Sequence, residues 1–384
     1  MSSKGVSTKK VLQEHSQAKV KLYTEYLRVY LSIMGNTRFS RIHLYDVLCG
    51  EGKYKDGAEG SALKALRTVL SYYSDYPHSQ LRLNVRLNDF GQSDVEAGLR
   101  KIDRVETHAS KIPLPTSKVT VGYSGVEYAE MLQEVEQTVA KLSSVEKALV
   151  FIDPWGYKSI RPGQLQSLFS SGSTEILLFL PTTHMYRFAN KAAEDIPEEE
   201  VLQCFKPLKR LLEELFGSSI PRFSCLDDFA KALKIKLAEA LGAEYCSAFA
   251  LETNEFNEYT LFFFTPNVKG LDVFNQACWK LDSNYGRKYS MRAASGQMLL
   301  FAPQDEHIGQ VRDLIFSSPV TNRQLYEFGV KCGYLTKATN AALNCLRESG
   351  EIDVVALDGL DKPKKRANYL DYKPKRTVQF KKMT

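Results

Sequence analysis

The sequence predicts an α/β protein, a mainly parallel sheet with helices on both faces, from three observations. Strand-like and helix-like segments alternate regularly from residue 40 to 266, the pattern of a sheet built through helical crossovers. Between the first five strand-like runs lie stretches of 3.6-residue period. The last two runs are separated only by "TNEFN", too short for a crossover, so they should pair as an antiparallel hairpin. With 384 residues, 43% of them hydrophobic, the chain can bury a large core and suggests more than one domain.

The strands expected are "RIHLYDVL" (41 to 48), "RLNVRLND" (82 to 89), "KVTVGYSG" (118 to 125), "KALVFIDPW" (147 to 155), "TEILLFLP" (174 to 181), "EYCSAFALE" (244 to 252) and "EYTLFFFTP" (258 to 266). Crossover helices include "SALKALRTVLSYY" and "VEYAEMLQEVEQTVAKL". Ahead of the sheet, residues 8–35 place Val20, Tyr23, Leu27 and Leu31 on one side of a helix that should pack against it. Residues of about 183–243 form a long, mostly helical insertion between the fifth and sixth strands, expected to act as a lid or substrate-shaping cap. Five parallel strands followed by a hairpin is the element order of the class I methyltransferase version of the Rossmann-like sheet. A dinucleotide-binding or flavodoxin-like sheet does not need that hairpin.

Beyond about residue 305 three short helices and a small hairpin follow, with Thr321 and Thr336 expected as N-caps. This is the outline of a winged helix, in which Lys337, Asn340, Asn344 and Arg347 of the third helix would read a nucleic-acid groove. Docking of protein, or plain packing, is the other use of such a unit. The expected domains are therefore 1–304, 305–360 and a basic tail, 361–384.

Charge is unevenly placed. The net charge is +6, but the last 24 residues hold nine Lys/Arg and two acids, a composition suited to a polyanion or to a solvated tail. The opening residues lack an apolar h-region and no apolar run reaches the roughly 20 residues that span a bilayer, so the expected location is the cytoplasm. Seven widely spaced cysteines without a C-x-x-C pair argue against a disulfide framework or a zinc site and are expected to be mostly small buried hydrophobes. No metal site is expected. No G-x-S-x-G, P-loop or H-E-x-x-H occurs, leaving hydrolase, NTPase and zincin chemistry unsupported.

Three constellations carry candidate chemistry. Asp46, Gly50 and Gly52 form D-x-x-x-G-x-G at the end of the first strand, where ligands of open α/β sheets bind. The next helix starts only near Ser61, so a pyrophosphate at its N-terminus is disfavoured. S-adenosylmethionine, which carries no phosphate, remains compatible, as does a tight loop without ligand. Asp89, with Asn88 beside it, ends the second strand where an acid accepts hydrogen bonds from ribose hydroxyls; a loop cap is the alternative. Asp153, Pro154, Trp155 and Gly156 end the fourth strand, where amino methyltransferases carry a D/N-P-P-aromatic loop. Asp153 and the Pro154 carbonyl would orient an amine, and Trp155 or Tyr157 would stack on a base; Trp155 as core is the alternative. Arg187 could meet a phosphate, and His184 lies nearby without an identifiable partner.

The motifs "EHSQAKVKLYTEYLRVYL", "LYDVLCGEGKYKDGAEGSALKAL", "FIDPWGYKSI" and "LFLPTTHMYRF" resemble, in order and spacing, those of the three-Cys-motif partner proteins, a prokaryotic family. The resemblance covers about residues 10–290 and implies a partner protein with three cysteine motifs. The first motif is also similar to that of bacterial ribosomal RNA adenine-N6 methyltransferases, D-x-x-A-G-x-G-x-Y, which implies cofactor contacts at Asp46, Gly50, Gly52 and Tyr54, and catalytic roles at Asp153 and Pro154. The chain departs from it at Cys49 and at Trp155-Gly156. The expected function is S-adenosylmethionine-dependent methylation of a nucleic-acid base at an exocyclic amine. The rivals are a non-catalytic nucleic-acid-binding or adaptor protein of a defence or mobile-element system, and a nuclease holding a metal between Asp46, Glu51, Asp89 and Asp153.

Overall fold

The computed structural model describes residues 14–154, 156–169, 171–192, 206–253, 257–282, 286, 288–290, 303–359, 361, 364 and 366–383. The chain divides into two compact units, one of residues 1–266 and 288–291, the other of 267–287 and 292–384.

In the first unit the strands are β1 (Arg41–Asp46), β2 (Arg82–Asn88), β3 (Val119–Ser124), β4 (Glu146–Ile152), β5 (Thr174–Leu180), β6 (Tyr245–Glu252), β7 (Glu258–Thr265) and a short β8 (Lys288–Ser290). They form one sheet in the order β3-β2-β1-β4-β5-β7-β6-β8. The first five run parallel, and β7 enters antiparallel to β5 and β6. The fold is thus a Rossmann-like α/β sheet with the expected terminal hairpin. Its register places Asp46 beside Leu87 and Phe151, so the ends of β1, β2 and β4 share one edge. Central strands such as "ALVFI" of β4 are buried throughout, as parallel strands covered on both faces must be.

Helix α1 (Glu14–Gly35) covers one face, and residues 8–13 of the expected helix lie outside the described residues. Val20, Tyr23, Leu27 and Leu31 are all buried, each contributing about 1.5–3 kcal/mol. The Tyr23 ring stacks on Phe151 at 4.4 Å. The Tyr26 hydroxyl donates to buried Glu175 at 2.5 Å, and Thr265 donates to its other oxygen at 2.7 Å. Helices α2 (Ser61–Asp75), α3 (Lys101–Ala109), α4 (Tyr128–Val139) and α5 (Pro162–Gln166) complete the crossovers.

The described helices of the insertion pack on the sheet. Its helices α6 (Thr182–Ala192), α7 (Lys206–Phe216) and α8 (Leu226–Leu241) bury Leu208, Leu212, Phe229 and Leu233 in the same cluster as Val150, Ile176 and Phe262 of the sheet. Their leucines recur at helical spacing because they form the second covering layer.

The second unit begins with α9 (Val268–Leu281), well before the expected boundary at 304. Trp279 donates to the Gly333 carbonyl at 3.0 Å, Asn275 to Val330 at 2.8 Å, and Tyr326 to Asp272 at 2.9 Å, which ties α9 to the residues that follow. These are α10 (Pro303–Ser317), β9 (Val320–Thr321), α11 (Asn322–Lys331), α12 (Thr336–Glu348), β10 (Ile352–Ala356) and β11 (Val378–Lys382). Thr321 caps α11 in a reciprocal capping box with Gln324. Thr336 does not cap; Leu335 occupies that position without a side-chain hydrogen bond. The expected tail is not free, because β11 pairs with both β10 and β9 and buries Val378 and Phe380.

Of the described cysteines only Cys49 and Cys278 are buried, fewer than expected; the Cys225 sulfur instead caps α8. Among the described residues no helix is long and apolar enough to cross a membrane.

Tyr26→Phe removes one donor from a buried carboxylate, and urea unfolding should show a loss of about 1–3 kcal/mol; an unchanged midpoint would mean that Glu175 is satisfied without it.

Candidate active site

The loop leaving β1 turns through two left-handed glycines, Gly50 at φ +68° and Gly52 at φ +71°. Their reasons differ. Among the described residues a Cβ on Gly50 would meet nothing within 4 Å, whereas one on Gly52 would sit 3.2 Å from Val105 Cγ2 and 3.5 Å from Leu63. Gly50 therefore faces open space that a ligand can enter, but Gly52 is glycine because α2 and α3 press on it, not to make room for a cofactor. The Gly52 carbonyl accepts from Gly60 N–H at 2.8 Å, which joins the loop to the start of α2.

Asp89, just past β2, accepts the Gly50 N–H at 2.8 Å through one oxygen, and its other oxygen lies 3.8 Å from Lys101 Nζ. Burial pushes the Asp89 carboxyl up despite Lys101. Asn88 is unavailable to a ribose. It is fully buried, its amide donates to the Val47 and Val126 carbonyls at 3.0 and 3.1 Å, and its oxygen accepts from Val126 N–H at 3.1 Å.

Asp46 is fully buried at the end of β1. One oxygen accepts from the Ser61 hydroxyl at 2.6 Å at the start of α2; among the described residues the other has no hydrogen-bond partner, and neither has the buried Tyr23 hydroxyl. Burial, reinforced by the charges of Asp153 and Asp89, pushes the Asp46 carboxyl up to about 7, against the pull of Ser61 and Lys19. Tyr54, half-buried at the far end of the loop, is pushed up to about 12, first by burial and then by Asp153.

At the end of β4 the structure adds a residue that motif spacing missed. The ammonium of Lys19, on α1, donates to Asp153 and lies 4.3 Å from the centre of the Phe179 ring. The Lys19 side chain is only 8% exposed, so the ion pair is largely withdrawn from water. Its signal was present: residues 19, 23, 26 and 30 share one helix face, and the first is a lysine among tyrosines. The other Asp153 oxygen makes no hydrogen bond among the described residues.

Other expectations change. Trp155 lies outside the described residues. Gly156 turns at φ +81°, and among the described residues nothing lies within 4 Å of where its Cβ would stand. Tyr157 is buried in the core, its ring 5.9 Å from that of exposed His184, so it is not a free stacking face. Arg187 is exposed on α6 beyond β5. Glu51 accepts from Arg104 at 2.6 Å, from Ser93 at 2.5 Å and from the Asp94 amide at 2.8 Å. It is thus a loop anchor, and among the described residues no three His, Cys, Asp or Glu side chains converge on a metal position.

In the second unit the expected reading face of α12 is occupied. Asn368 donates to Asn340 and Asn344 at 3.1 and 3.0 Å and accepts from Arg347 at 2.9 Å. Lys337 alone of the four stays exposed, with its ammonium 5.9 Å from the centre of the Trp279 ring.

No family model and no curated protein matches the chain. Among solved structures, a candidate O-methyltransferase from Klebsiella pneumoniae is similar over 63% of this chain and 80% of its own, at 12% identity and a TM-score of 0.30. A variant of a 16S rRNA (adenine(1408)-N(1))-methyltransferase from Catenulisporales acidiphilia is similar over 62% and 90%, at 14% identity and a TM-score of 0.29.

Two measurements test this geometry. The folded chain holds the Asp46 proton up to about pH 7, whereas the ordinary value is 3.8, so ionisation withdraws stability as pH rises between those values. The slope is at most about 1.4 kcal/mol per pH unit. Urea unfolding of wild type against Asp46→Asn should therefore show the wild type losing ground from about pH 4 and levelling off above 7; a pH-independent difference would refute the burial of that charge. A double-mutant cycle between Lys19→Met and Asp153→Asn should give a coupling of about 1–2 kcal/mol, discounted for the partial exposure of Asp153; additivity would show that the pair adds nothing.

Proposed function

We propose that the chain is an S-adenosylmethionine-dependent methyltransferase acting on an exocyclic amine of a nucleic-acid base. The observation that carries the proposal is the Gly50 turn, open beyond its Cα and tied to Asp89, with the unpartnered oxygen of Asp46 at the same sheet edge. Carboxylate oxygens at this edge suit a ligand that offers ribose hydroxyls as donors.

When bound, the cofactor supplies an electrophilic methyl group on a positive sulfur. Gly50 would leave room for it, Asp89 would accept from its ribose, and Asp46 and Tyr54 would line its approach. The free oxygen of Asp153 and the Pro154 carbonyl would accept the N–H groups of the amine and aim its lone pair, so that catalysis is mainly positioning. Trp155 would offer the stacking face, and Arg187 a phosphate contact beside the site. We read α10, α11 and α12 with the strands β9 to β11 as a winged-helix module that brings nucleic acid to the protein.

A second reading has an observation in its favour. Lys19 already holds one Asp153 oxygen, as it would in a non-catalytic adaptor that keeps the fold and works with a three-Cys-motif partner.

Calorimetric titration with S-adenosylmethionine separates them. The enzyme reading expects one site per chain, weakened at least about tenfold in Asp89→Ala, equivalent to about 1.4 kcal/mol. A folded wild type that binds nothing would end the enzyme reading and leave the adaptor.

A further inference from the structure

We infer that the second unit grips the phosphodiester backbone of nucleic acid through the loop between β10 and β11, without reading bases through α12. The inference rests on the nucleic-acid part of the proposed function and not on methyl transfer.

The reason α12 does not read bases is that its polar face is spent within the chain. Asn368 is 2% exposed and engages Asn340, Asn344 and Arg347 together. A base edge could reach these groups only by displacing it. The loop is held at both sides of Asn368 by left-handed residues, Arg366 at φ 65° and Tyr369 at φ 52°, a conformation that costs non-glycine residues roughly 1 kcal/mol or more. Specific contacts hold them there: Arg366 donates to Glu348 at 2.6 Å, and the Tyr369 carbonyl accepts from buried Asn322 at 2.7 Å. The loop is a built element with α12 beneath it.

Its outer surface is a different matter. Arg376 is neutralised by Asp358 at 2.8 Å, as Arg366 is by Glu348. Lys364, Lys373 and Lys375 are exposed and have no carboxylate partner among the described residues, whereas exposed Lys381 stands on β11 opposite Asp353. Arg323 joins them from α11, its guanidinium 5.0 Å from the centre of the Tyr372 ring, with the Lys373 ammonium 5.8 Å from the same ring. Besides Asp358 the loop carries two exposed acids, Asp361 and Asp371, and Asp371 accepts the Lys373 N–H at 3.2 Å. Long, exposed lysines beside a half-buried tyrosine match phosphates, which position a protein on nucleic acid without carrying sequence information.

The test is fluorescence anisotropy of the full-length chain, without cofactor, on labelled duplexes of about 20 base pairs: two DNA sequences unrelated to one another, and one RNA. The two DNA duplexes should bind within about twofold of each other. With about four phosphate contacts the affinity should fall on the order of a hundredfold between 50 and 200 mM salt. The RNA arm shows which backbone is the better source of the phosphates. The double variant Lys373→Glu/Lys375→Glu should lose at least about tenfold and flatten the salt dependence, by about two in log–log slope, while Lys337→Ala on the open end of α12 should stay within about twofold. The inference is overturned if Lys337→Ala loses as much as the loop variant, if the loop variant binds like wild type, if one DNA sequence is preferred more than about tenfold, or if phosphatidylserine vesicles bind and no duplex does. A chain that fails to bind S-adenosylmethionine can still pass every arm, so the two proposals fail separately.

Discussion

Buried carboxylates need donors, and that requirement organises the carboxyl edge of the sheet. A carboxylate taken out of water is stable only if hydrogen bonds or opposite charge replace the solvent. Each acid here is met from a different element: Asp46 by Ser61 at the start of α2, Asp89 by the Gly50 amide of the first loop, Glu51 by Arg104 of α3, and Asp153 by Lys19 of α1. Helices and loops distant in sequence are thereby located against one strand end. The same requirement recurs deeper in the unit, where Tyr26 and Thr265 satisfy Glu175.

Asp46 is the point at which the requirement is only half met. One of its oxygens is bonded and the other is buried without a partner among the described residues, which is why burial dominates its titration. Native structures keep such groups where a ligand or ordered water completes them. Beside it the Gly50 backbone bends into open space, fixed in that conformation by Asp89. Among the described residues the edge is thus incomplete at Asp46.

Much of this was legible beforehand. All seven long strands were placed within a few residues, because alternating and continuous apolar runs report burial directly. The apolar stripe of α1 was legible for the same reason, and so was the place of Asp46, Asp89 and Asp153 at or just past strand ends. Other features depended on neighbours that no local pattern names. Gly52 is set by Val105 and Leu63, Tyr157 by its place in the core, and Lys19 by Asp153 across the sheet. The described helices of the insertion form a covering layer, and a helix with an apolar stripe looks the same in sequence whether it packs or closes.

The sequence by itself determined the fold class, the order of the strands along the chain and which residues stand at their carboxyl ends, because these follow from local periodicity and from where apolar runs stop. The tertiary structure decided which polar groups find one another. It paired Lys19 with Asp153, spent the polar face of α12 on Asn368 and folded the basic C-terminal segment into a sheet. Such pairings depend on contacts between residues separated by tens to more than a hundred positions, and the physical reason they escape a linear reading is that desolvation acts on proximity in space, not on spacing along the chain.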